Sequence, residues 1–355
     1  MKIGFDAKRF FHNRTGLGNY SRTLVSGLKI YFPENEYVLY DENSLVRTCR
    51  LGHKAEKDGC DIFHGLSNEL PFDIDNRAVK SVVTIHDIAW LTFPDMYTWI
   101  DRRIYDFKYG SSCKRADKVI AISESTKKDI MRFYGVPEHR IDVVYQPVQD
   151  LFYNPKSKGE CDSLLKEHFG PEGLPPFILY VGSINSRKNL LGILKALSIM
   201  PKDQRPFLLV VGNGREYRKK CEAFIRSANL GKYVMIDSSI TDNHLLQALY
   251  ASCLLFIYPS FYEGFGLPVV EAALQKTPVI TSSISSLPEA AGPDACFIDP
   301  NSCDAIEQQI AYHIGNLCSD RDYAMTMGNK MNDYSRKMFS QARLSEEIMN
   351  LYRSL

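Results

Sequence analysis

The sequence predicts an α/β protein made of two Rossmann-like domains, each with a doubly wound parallel sheet, and a cleft between them. Short apolar runs recur along the chain, are rich in β-branched residues and are nearly continuous in hydrophobicity. Such runs are typical of strands buried on both faces of a sheet. Helical segments separate them, which indicates βαβ units. A length of 355 residues favours two domains, because one hydrophobic core rarely serves so long a chain.

The candidate strands form two series. Those of the first half read "KIGFDA", "YVLY", "DIFHGL", "SVVTIHD", "KVIAIS" and "IDVVYQP". Those of the second half read "FILYVG", "FLLVVG", "YVMID", "CLLFIYPS", "PVITS" and "CFIDP". Helices are predicted between them, among others over residues 19–30, 123–134, 190–200 and 242–251.

The pattern pauses once, near the middle of the chain. Residues 154–176 are charged and carry prolines and glycines at both ends, which predicts an interdomain linker with one short helix. We therefore place the domains at residues 1–160 and 161–324. After about residue 320 no further apolar run occurs, so the tail is predicted to be helical.

The composition limits the classes of function. A formal net charge of +1 argues against a dedicated nucleic-acid binder, which is usually basic. No apolar run reaches the roughly 18 residues of a membrane span, and the start "MKIGFDAKRF" lacks the apolar core of a signal peptide. The nine cysteines are scattered without a C-x-x-C pair. We therefore expect free thiols, a cytoplasmic location, and neither disulfides nor a zinc site.

A glycine pair follows the first strand. The segment "FDAKRFFHNRTGLGNY" ends with Gly16 and Gly18, and a helix is predicted from residue 19. Glycines let backbone N–H groups approach a ligand, a helix N-terminus favours an anion, and Arg14 is one of three basic residues nearby. The segment lacks a full G-x-G-x-x-G, which disfavours a nicotinamide dinucleotide. A plain turn explains the pair equally well.

His86 and Asp87 come directly after a buried strand, in "VVTIHDIAW". Ligands of open α/β sheets bind beyond the carboxyl ends of the strands, so both side chains are expected to face the cleft. A histidine there can donate to a phosphate or a sugar oxygen, or act as a base. The alternative is a histidine satisfied by the backbone at a strand end.

Two cations follow the first strand of the second series. In "YVGSINSRKNL", Gly182 ends the strand, and Arg187 and Lys188 lie at the entry to the next helix. Two cations beside a helix N-terminus suit a diphosphate, and Gly212 in "VVGNGREY" repeats the glycine one unit later. A solvated charge pair is the alternative.

Glu263 and Glu271 flank a glycine turn in "YEGFGLPVVEAALQ", with seven residues between them. Because the turn opens a helix, its N–H groups suit a phosphate. Glu271 can accept two hydrogen bonds from a vicinal diol such as a ribose, and Glu263 can reach the hydroxyls of a second polar group. An acid that balances the helix dipole would explain one glutamate but not both. The turn residues expected at the phosphates are Gly264, Phe265, Gly266 and Leu267.

At this point the sequence resembles the retaining glycosyltransferases of family 4, which have the GT-B fold. The motifs that carry the resemblance are "GLGNY", "HD" after a buried strand, "ISESTKKDI", "VGSINSRKN" and "EGFGLPVVE". They occur in the family's order and span nearly the whole chain. The two glutamates with F-G-L-P between them are the most specific of these motifs.

The resemblance implies a role for each matching residue on the donor side. Glu271 would bind the ribose of a nucleotide sugar, and Glu263 would contact hydroxyls of the transferred sugar. Arg187 and Lys188 would hold the diphosphate without a bound metal or cofactor. Some members carry an arginine directly after the strand-end glycine. Here that residue is Ser183, so the charge falls on the later pair.

Further roles follow by position. His86 would lie by the sugar and the leaving phosphate, with Asp87 beside it in the catalytic set. Gly16 and Gly18 would line the phosphate and acceptor side. Residues 325–355 would form a final helix that returns to the N-terminal domain.

The resemblance is strongest to bacterial mannosyltransferases of surface-polysaccharide assembly. We therefore expect transfer of a hexose from GDP-mannose to a hydroxyl of a glycan or lipid-linked acceptor, with UDP-glucose or UDP-N-acetylglucosamine as the next donors. The alternatives are a nucleotide-sugar epimerase or hydrolase of the same fold, and a binding protein without turnover.

Residues 96–132 hold nine Lys or Arg against five Asp or Glu, together with several aromatic residues. That mixture suits an anionic membrane surface or a lipid-linked oligosaccharide. A packed amphipathic helix with an ordinary charged face is the alternative.

Overall fold

The computed structural model describes residues 1–13, 16–75 and 77–355. These residues form two compact units, one of Met1–Gln149 with Phe339–Leu355, the other of Asp150–Met338. Each unit is an α/β sandwich around a parallel sheet, as the alternation of apolar runs and helical segments predicts.

The first unit alternates strands and helices. Its strands are β1 (Lys2–Asp6), β2 (Glu36–Tyr40), β3 (Ile62–Gly65), β4 (Lys80–Ile85), β5 (Lys118–Ala121) and β6 (Ile141–Val143). Its helices up to residue 149 are α1 (Lys8–His12), α2 (Gly16–Tyr31), α3 (Ser44–Cys49), α4 (Leu51–Lys57), α5 (Ala89–Thr92), α6 (Trp99–Arg115) and α7 (Glu124–Tyr134).

The sheet of this unit is parallel, in the order β2-β1-β3-β4-β5-β6. Ile3 pairs with Tyr37 on one side and with Ile62 on the other. The central strands β3 and β4 are buried almost throughout, because helices cover both faces. The order reverses between β1 and β3, so the carboxyl ends of these two strands border the switch point.

The second unit repeats the plan. Its strands are β7 (Phe177–Val181), β8 (Phe207–Val211), β9 (Val234–Asp237), β10 (Phe256–Tyr258), β11 (Val279–Ser282) and β12 (Cys296–Ile298). Its helices are α8 (Lys158–Phe169), α9 (Leu190–Ile199), α10 (Glu216–Ser227), α11 (Asn243–Ser252), α12 (Leu267–Leu274), α13 (Leu287–Ala291), α14 (Ile306–Ser319) and α15 (Arg321–Phe339).

Its sheet is also parallel, in the order β12-β11-β10-β7-β8-β9. The chain starts at β7, runs outward through β8 and β9, and then returns to the other side of β7 with β10. The switch point therefore lies between β7 and β10, where the doubly wound fold places its ligands.

The predicted linker is a part of the second unit. Ser157 caps α8 in a reciprocal arrangement with Glu160, and α8 packs against α11. The observed division of the chain therefore falls at Gln149, before the predicted end of the first domain at residue 160. The cause is local: the segment after Gln149 is held by this unit, since Gln247 donates to the carbonyl oxygen of Leu151 at 2.7 Å.

The last helix, α16 (Gln341–Arg353), belongs to the first unit. It packs against α2, where Gln341 donates to the carbonyl oxygen of Thr23 at 3.0 Å. Near its end, the Tyr352 hydroxyl lies 2.5 Å from Nδ1 of His64 on β3. The predicted tail, residues 325–355, is helical throughout most of its length, but the chain joins the first unit only from Phe339.

Candidate active site

The switch point of the second unit brings three predicted residues together. Arg187 and Lys188 follow β7, and Glu263 follows β10. Arg187 Nη1 lies 3.0 Å from Glu263 Oε2, and Lys188 Nζ lies 2.6 Å from Glu263 Oε1. The three side chains are 15%, 10% and 10% exposed, so the ion pairs are shielded from water and the alternative of a solvated charge pair does not hold.

Each cation has a second contact. The Arg187 guanidinium also donates to the carbonyl oxygen of Tyr262. The Lys188 ammonium donates to the Tyr258 hydroxyl and lies 4.7 Å from the centroid of that ring. Tyr258, the last residue of β10, was not among the predicted residues, although its place at a strand end is the signal that singled out the others.

Local structure sets the direction of these side chains. A single 3₁₀ turn, Ser186–Lys188, begins at Asn185, whose side chain accepts from the Lys188 N–H at 3.2 Å. The Phe261 N–H donates to the carbonyl oxygen of Arg187 at 2.8 Å. The loop after β7 and the loop after β10 are therefore tied by backbone as well as by side chains.

Two serines after β11 hold the backbone of Glu263. Its N–H donates to Ser285 Oγ at 2.8 Å, and the Ser285 hydroxyl donates to its carbonyl oxygen at 2.6 Å. Ser286 Oγ lies 2.8 Å from the carbonyl oxygens of Glu263 and Phe265. The sequence analysis did not single out either serine. Both follow a strand of the same sheet, so a search of the polar residues after each strand would have found them.

Burial and charge act in opposite directions on Glu263. Burial raises the pKa of its carboxyl group, while Lys188 and Arg187 lower it, and the net shift is below the ordinary value. The carboxylate is therefore ionised at neutral pH and accepts hydrogen bonds only.

Glu271 lies on α12, about one turn after its start at Leu267, and is partly buried. The Tyr250 hydroxyl on α11 donates to Glu271 Oε2 at 3.1 Å. Burial raises the pKa of Glu271 to about 7, against the opposing effect of that hydrogen bond. Of the other residues predicted at the phosphates, Gly264, Phe265 and Gly266 form the turn before α12, and Leu267 is the first residue of that helix.

Gly212 has a role in the fold itself. It follows β8 with φ of 155°, and a Cβ there would lie 1.9 Å from the carbonyl oxygen of Gly182, which follows β7. The absent side chain lets the ends of two neighbouring strands come together. Contact of either glycine with a donor remains a prediction.

In the first unit, His86 follows β4 and is buried. Its Nε2 lies 2.9 Å from the carbonyl oxygen of Leu66, so Nε2 carries a proton and donates. Its backbone N–H donates to Asn68 Oδ1 at 2.7 Å. Burial lowers the pKa of the ring, more than the Leu66 contact and Asp87 raise it. The ring is therefore neutral, and its Nε2 is satisfied by the backbone, as the alternative interpretation predicted. A donor role at Nε2 is thereby taken up, and Nδ1 is the acceptor that a base requires.

Asp87 is partly exposed, and its Oδ1 accepts from the Ala89 N–H at 3.2 Å. This contact ties the carboxylate to the first residue of the short helix α5. His86 and Asp87 thus lie side by side in one unit. In the other unit Arg187, Lys188 and Glu263 form a cluster, and Glu271 lies on α12 of the same unit.

The glycine pair after β1 differs from the prediction. Helix α2 begins at Gly16, not after residue 18, so Gly18 lies inside its first turn. A Cβ on Gly18 would lie 1.8 Å from the carbonyl oxygen of Asn13. Close packing therefore explains this glycine, and Arg14 lies outside the described residues.

In the described ranges, no cluster of three His, Cys, Asp or Glu side chains could hold a metal ion. Over the same ranges, no helix is long and apolar enough to span a membrane.

Comparison with known proteins gives similar chains along the full length. O-antigen chain mannosyltransferase B of Escherichia coli is 29% identical over 100% of both chains. Sucrose-phosphate synthase from Thermosynechococcus elongatus superposes with a TM-score of 0.78 at 18% identity, over 100% of this chain and 98% of that one. Anabaena HepE, solved with UDP, gives 0.74 at 17% identity over 100% of both. The structural likenesses show a shared fold, GT-B.

Two family models match consecutive parts of the chain. Residues 32–150 match Glycosyltransferase Family 4, and residues 164–336 match Glycosyl transferases group 1. The second match contains the Arg187–Lys188–Glu263 cluster and Glu271. The chain therefore belongs to the glycosyltransferases that combine these two domains, as the motifs predicted.

Proposed function

We propose that the protein transfers mannose from GDP-mannose to a hydroxyl of a glycan or lipid-linked acceptor, with retention of the anomeric configuration and without a bound metal ion. The observation that carries the proposal is the buried Arg187–Lys188–Glu263 cluster at the switch point of the second unit. A plain fold contact would not require two cations and a carboxylate at the place where this fold binds its ligands.

The proposed reaction requires positive charge beside the leaving diphosphate, at the switch point of the second unit. Transfer breaks the bond between the anomeric carbon and a diphosphate oxygen, which leaves negative charge on the nucleoside diphosphate. Arg187 and Lys188 stabilise that charge, and α12, which begins at Leu267 directly after the loop of Glu263, adds the positive end of its helix dipole.

The two carboxylates take the hydroxyl groups of the donor. Glu263 is ionised and accepts from hydroxyls of the transferred sugar, while it keeps both cations in place. Glu271 accepts from the ribose diol, with Oε2 oriented by Tyr250. In the first unit, the neutral ring of His86 accepts a hydrogen bond at Nδ1 during the transfer step.

The donor is suggested by the relatives. The full-length relative from Escherichia coli is named an O-antigen chain mannosyltransferase, and HepE has been solved with UDP-glucose as well as UDP. GDP-mannose is therefore the first donor to test and UDP-glucose the second. The nine cysteines are free thiols, which supports a reducing, cytoplasmic location.

Calorimetry with GDP-mannose, UDP-glucose and UDP-N-acetylglucosamine tests the donor site. We expect GDP-mannose to bind most tightly, with unchanged affinity in EDTA, and Glu271→Ala and Lys188→Ala each to weaken binding by roughly tenfold or more. Normal donor affinity in both variants would refute the site.

The reaction itself is tested with a mannose-terminated oligosaccharide acceptor. NMR of the product should show the anomeric configuration of the donor. Release of free mannose or of an epimerised nucleotide sugar, at the same rate without acceptor, would contradict transfer.

A further inference from the structure

A row of buried polar side chains runs through the first unit, from the last helix toward His86. Its members are Tyr352 on α16, His64 on β3, Thr84 on β4 and Tyr20 on α2, and we call these four residues the polar network. None is more than 2% exposed. Polar groups buried at this depth are costly unless they are hydrogen-bonded, and apolar side chains would fill the same core more easily.

Each neighbouring pair in the polar network is within hydrogen-bond distance. The Tyr352 hydroxyl lies 2.5 Å from Nδ1 of His64, and Nε2 of the same ring lies 2.8 Å from Thr84 Oγ1. Thr84 Oγ1 in turn lies 3.0 Å from the Tyr20 hydroxyl. The imidazole therefore joins α16 to β4, and the threonine joins β4 to α2.

The polar network carries no charge near neutral pH. Burial lowers the pKa of His64 to about 3. Burial also raises the pKa of Tyr20 and of Tyr352 above the ordinary value of a phenol. Direct hydrogen bonds, rather than ion pairs, therefore hold the four side chains in one arrangement.

The network ends against the ring of His86. The Tyr20 and His86 rings lie 4.6 Å apart, centroid to centroid, at an angle of 88°. Edge-to-face contacts of this kind have a defined geometry, so a rotation of Tyr20 would shift the imidazole. Tyr20 is the last residue of the motif "GLGNY", and the proposed donor site makes no use of it.

The side chain of His86 has one hydrogen bond to the fold, from Nε2 to the carbonyl oxygen of Leu66 at 2.9 Å. That bond fixes one edge of the imidazole but lets the ring tilt about it. The contact with Tyr20 removes this freedom, because the two rings pack at a right angle. The direction of Nδ1 therefore depends on where Tyr20 is held.

We propose that Tyr20 is a positioning residue for His86 in the transfer step, and that His64 and Tyr352 hold Tyr20 in place from the last helix. The inference rests on the proposed function, in which His86 accepts at Nδ1. Helix α16 then supports the reacting imidazole as well as the core. Positioning of this kind has a kinetic signature, because a misplacement of about 1 Å can cost about 100-fold in rate without weakening the binding of substrate.

Two conservative substitutions remove one hydroxyl each and keep the rings. With a mannose-terminated acceptor, we expect kcat to fall roughly tenfold in Tyr20→Phe and roughly threefold in Tyr352→Phe, while calorimetry gives a donor Kd within about twofold of the unmodified chain. The matched control is Tyr40→Phe, which removes another buried hydroxyl of the first unit, one that donates to Asp58 at 2.9 Å. It should lose a similar amount of stability in urea and keep its kcat.

Double variants separate positioning from a general loosening of the core. If Tyr20 acts through His86, Tyr20→Phe should not lower kcat further once His86 is replaced by alanine. A loosened core would lower kcat by the same factor whether or not His86 is present. Equal factors in the two backgrounds would therefore overturn the proposal.

NMR of the histidine rings reads the same contact without the reaction. In protein labelled with ¹⁵N-histidine, the ring signals of His86 are identified by their loss in His86→Gln. Tyr352→Phe should move these signals, although the hydroxyl that it removes contacts His64 and not His86. Tyr40→Phe should leave them in place. A His86 signal that Tyr352→Phe does not move would refute the coupling.

The kinetic results distinguish this inference from the proposed function. An unchanged kcat in Tyr20→Phe and Tyr352→Phe, together with a lowered kcat in His86→Ala, would overturn the positioning role alone. An unchanged kcat in His86→Ala would overturn the part assigned to His86 in the reaction, and the positioning role with it. A weaker donor Kd with unchanged kcat in the tyrosine variants would also contradict positioning, because the loss would then lie in donor binding.

Discussion

At the residue scale, Glu271 shows how binding and stability oppose each other. Burial raises its pKa to about 7, so in the proposed donor site a proton and the ribose diol would compete for the same carboxylate near neutral pH. Tyr250 acts on this balance, because its hydroxyl donates to Oε2 and favours the ionised form.

Tyr250→Phe should shift the pH dependence of nucleotide binding. In the unmodified chain we expect affinity to fall as the pH drops below about 7, because Glu271 gains a proton. Loss of the Tyr250 hydroxyl should move this midpoint to higher pH. Calorimetry across pH 6 to 9 measures it, with the exposed Tyr312→Phe as control. An unmoved midpoint would remove Tyr250 as a positioning residue.

Glu271→Gln should weaken nucleotide binding and yet stabilise the protein at alkaline pH. The folded state holds a proton on Glu271 that the unfolded chain releases, so this contribution to stability is present below the unfolded pKa and is lost as the pH rises through about 7. The glutamine does not ionise. Its Tm should therefore exceed that of the unmodified chain by a few degrees at pH 8, and by less at pH 5. An equal difference at both values would contradict the assignment.

His86→Ala should lower kcat more than it weakens donor binding. In the proposed reaction His86 accepts at Nδ1 during transfer, so we expect kcat to fall roughly tenfold or more while the Kd changes by less than about threefold. His86→Gln, which can still donate to Leu66, controls for the buried contact. An unchanged kcat in the alanine variant would exclude His86 from the reaction.

The sequence predicted the charged members of the candidate site but not the residues that contact them. Arg187, Lys188 and Glu263 are charged residues that come soon after apolar runs, and a charge at the end of a predicted strand is enough to mark a site candidate. Tyr250 is twenty-one positions before Glu271 on another helix, and a tyrosine in an apolar segment is usually core. Only the packing of α11 against α12 brings the two together, and a linear pattern does not contain that information.

At the scale of elements, glycine is required where two backbone segments approach each other too closely to leave room for a side chain. Gly212 and Gly182 let β7 and β8 end side by side, which sets the base of the loop that carries Arg187 and Lys188. The sequence predicted these strands because their short apolar runs are uninterrupted and each ends at a glycine.

Gly212→Ala should destabilise the second unit by about 2 kcal/mol or more, because the new Cβ would meet a backbone oxygen and the backbone φ is positive. Urea unfolding measures the change. Gly231→Ala is the matched control, since no atom lies within 4 Å of a Cβ there. Equal stability of the two variants would show that the strand ends can separate without cost.

The start of α2 shows where prediction at this scale fails. Glycine has low helix propensity, so Gly16 and Gly18 suggested a loop. The structure uses Gly18 inside the helix because the Asn13 carbonyl packs where a side chain would be. Close packing against the preceding loop overrode propensity, and a single sequence gives no sign of that packing.

At the scale of the whole molecule, the chain leaves the first unit and returns to it with α16. The resemblance predicted that the final helix returns to the N-terminal domain. The helical character of the tail did not show which of its residues would pack against the first unit. The buried side of α16 includes Leu344, Ile348 and Met349, and Tyr352 contacts a histidine on β3. The last residues of the chain are thus part of the core formed by the first ones.

Ile348→Ala should therefore loosen the first unit alone. Removal of a buried isoleucine costs about 2–5 kcal/mol, and hydrogen exchange should quicken in β1, β3 and α2 while β7 to β12 keep their protection. Ile314→Ala, equally buried in the second unit, should give the opposite pattern. Exchange that quickens evenly in both units would contradict two separate cores.

The Arg187–Lys188–Glu263 cluster bears on how the protein discriminates among the small anions of a phosphate-rich solution. Glu263 balances both cations at 3.0 and 2.6 Å, so a bare phosphate must draw them from a buried carboxylate and leave that carboxylate poorly compensated. A ligand that presents phosphates together with hydroxyl donors satisfies all three side chains. If the cluster binds the donor as proposed, we expect inorganic phosphate to bind it far more weakly than a nucleoside diphosphate sugar, because of this electrostatic cost and without any steric barrier.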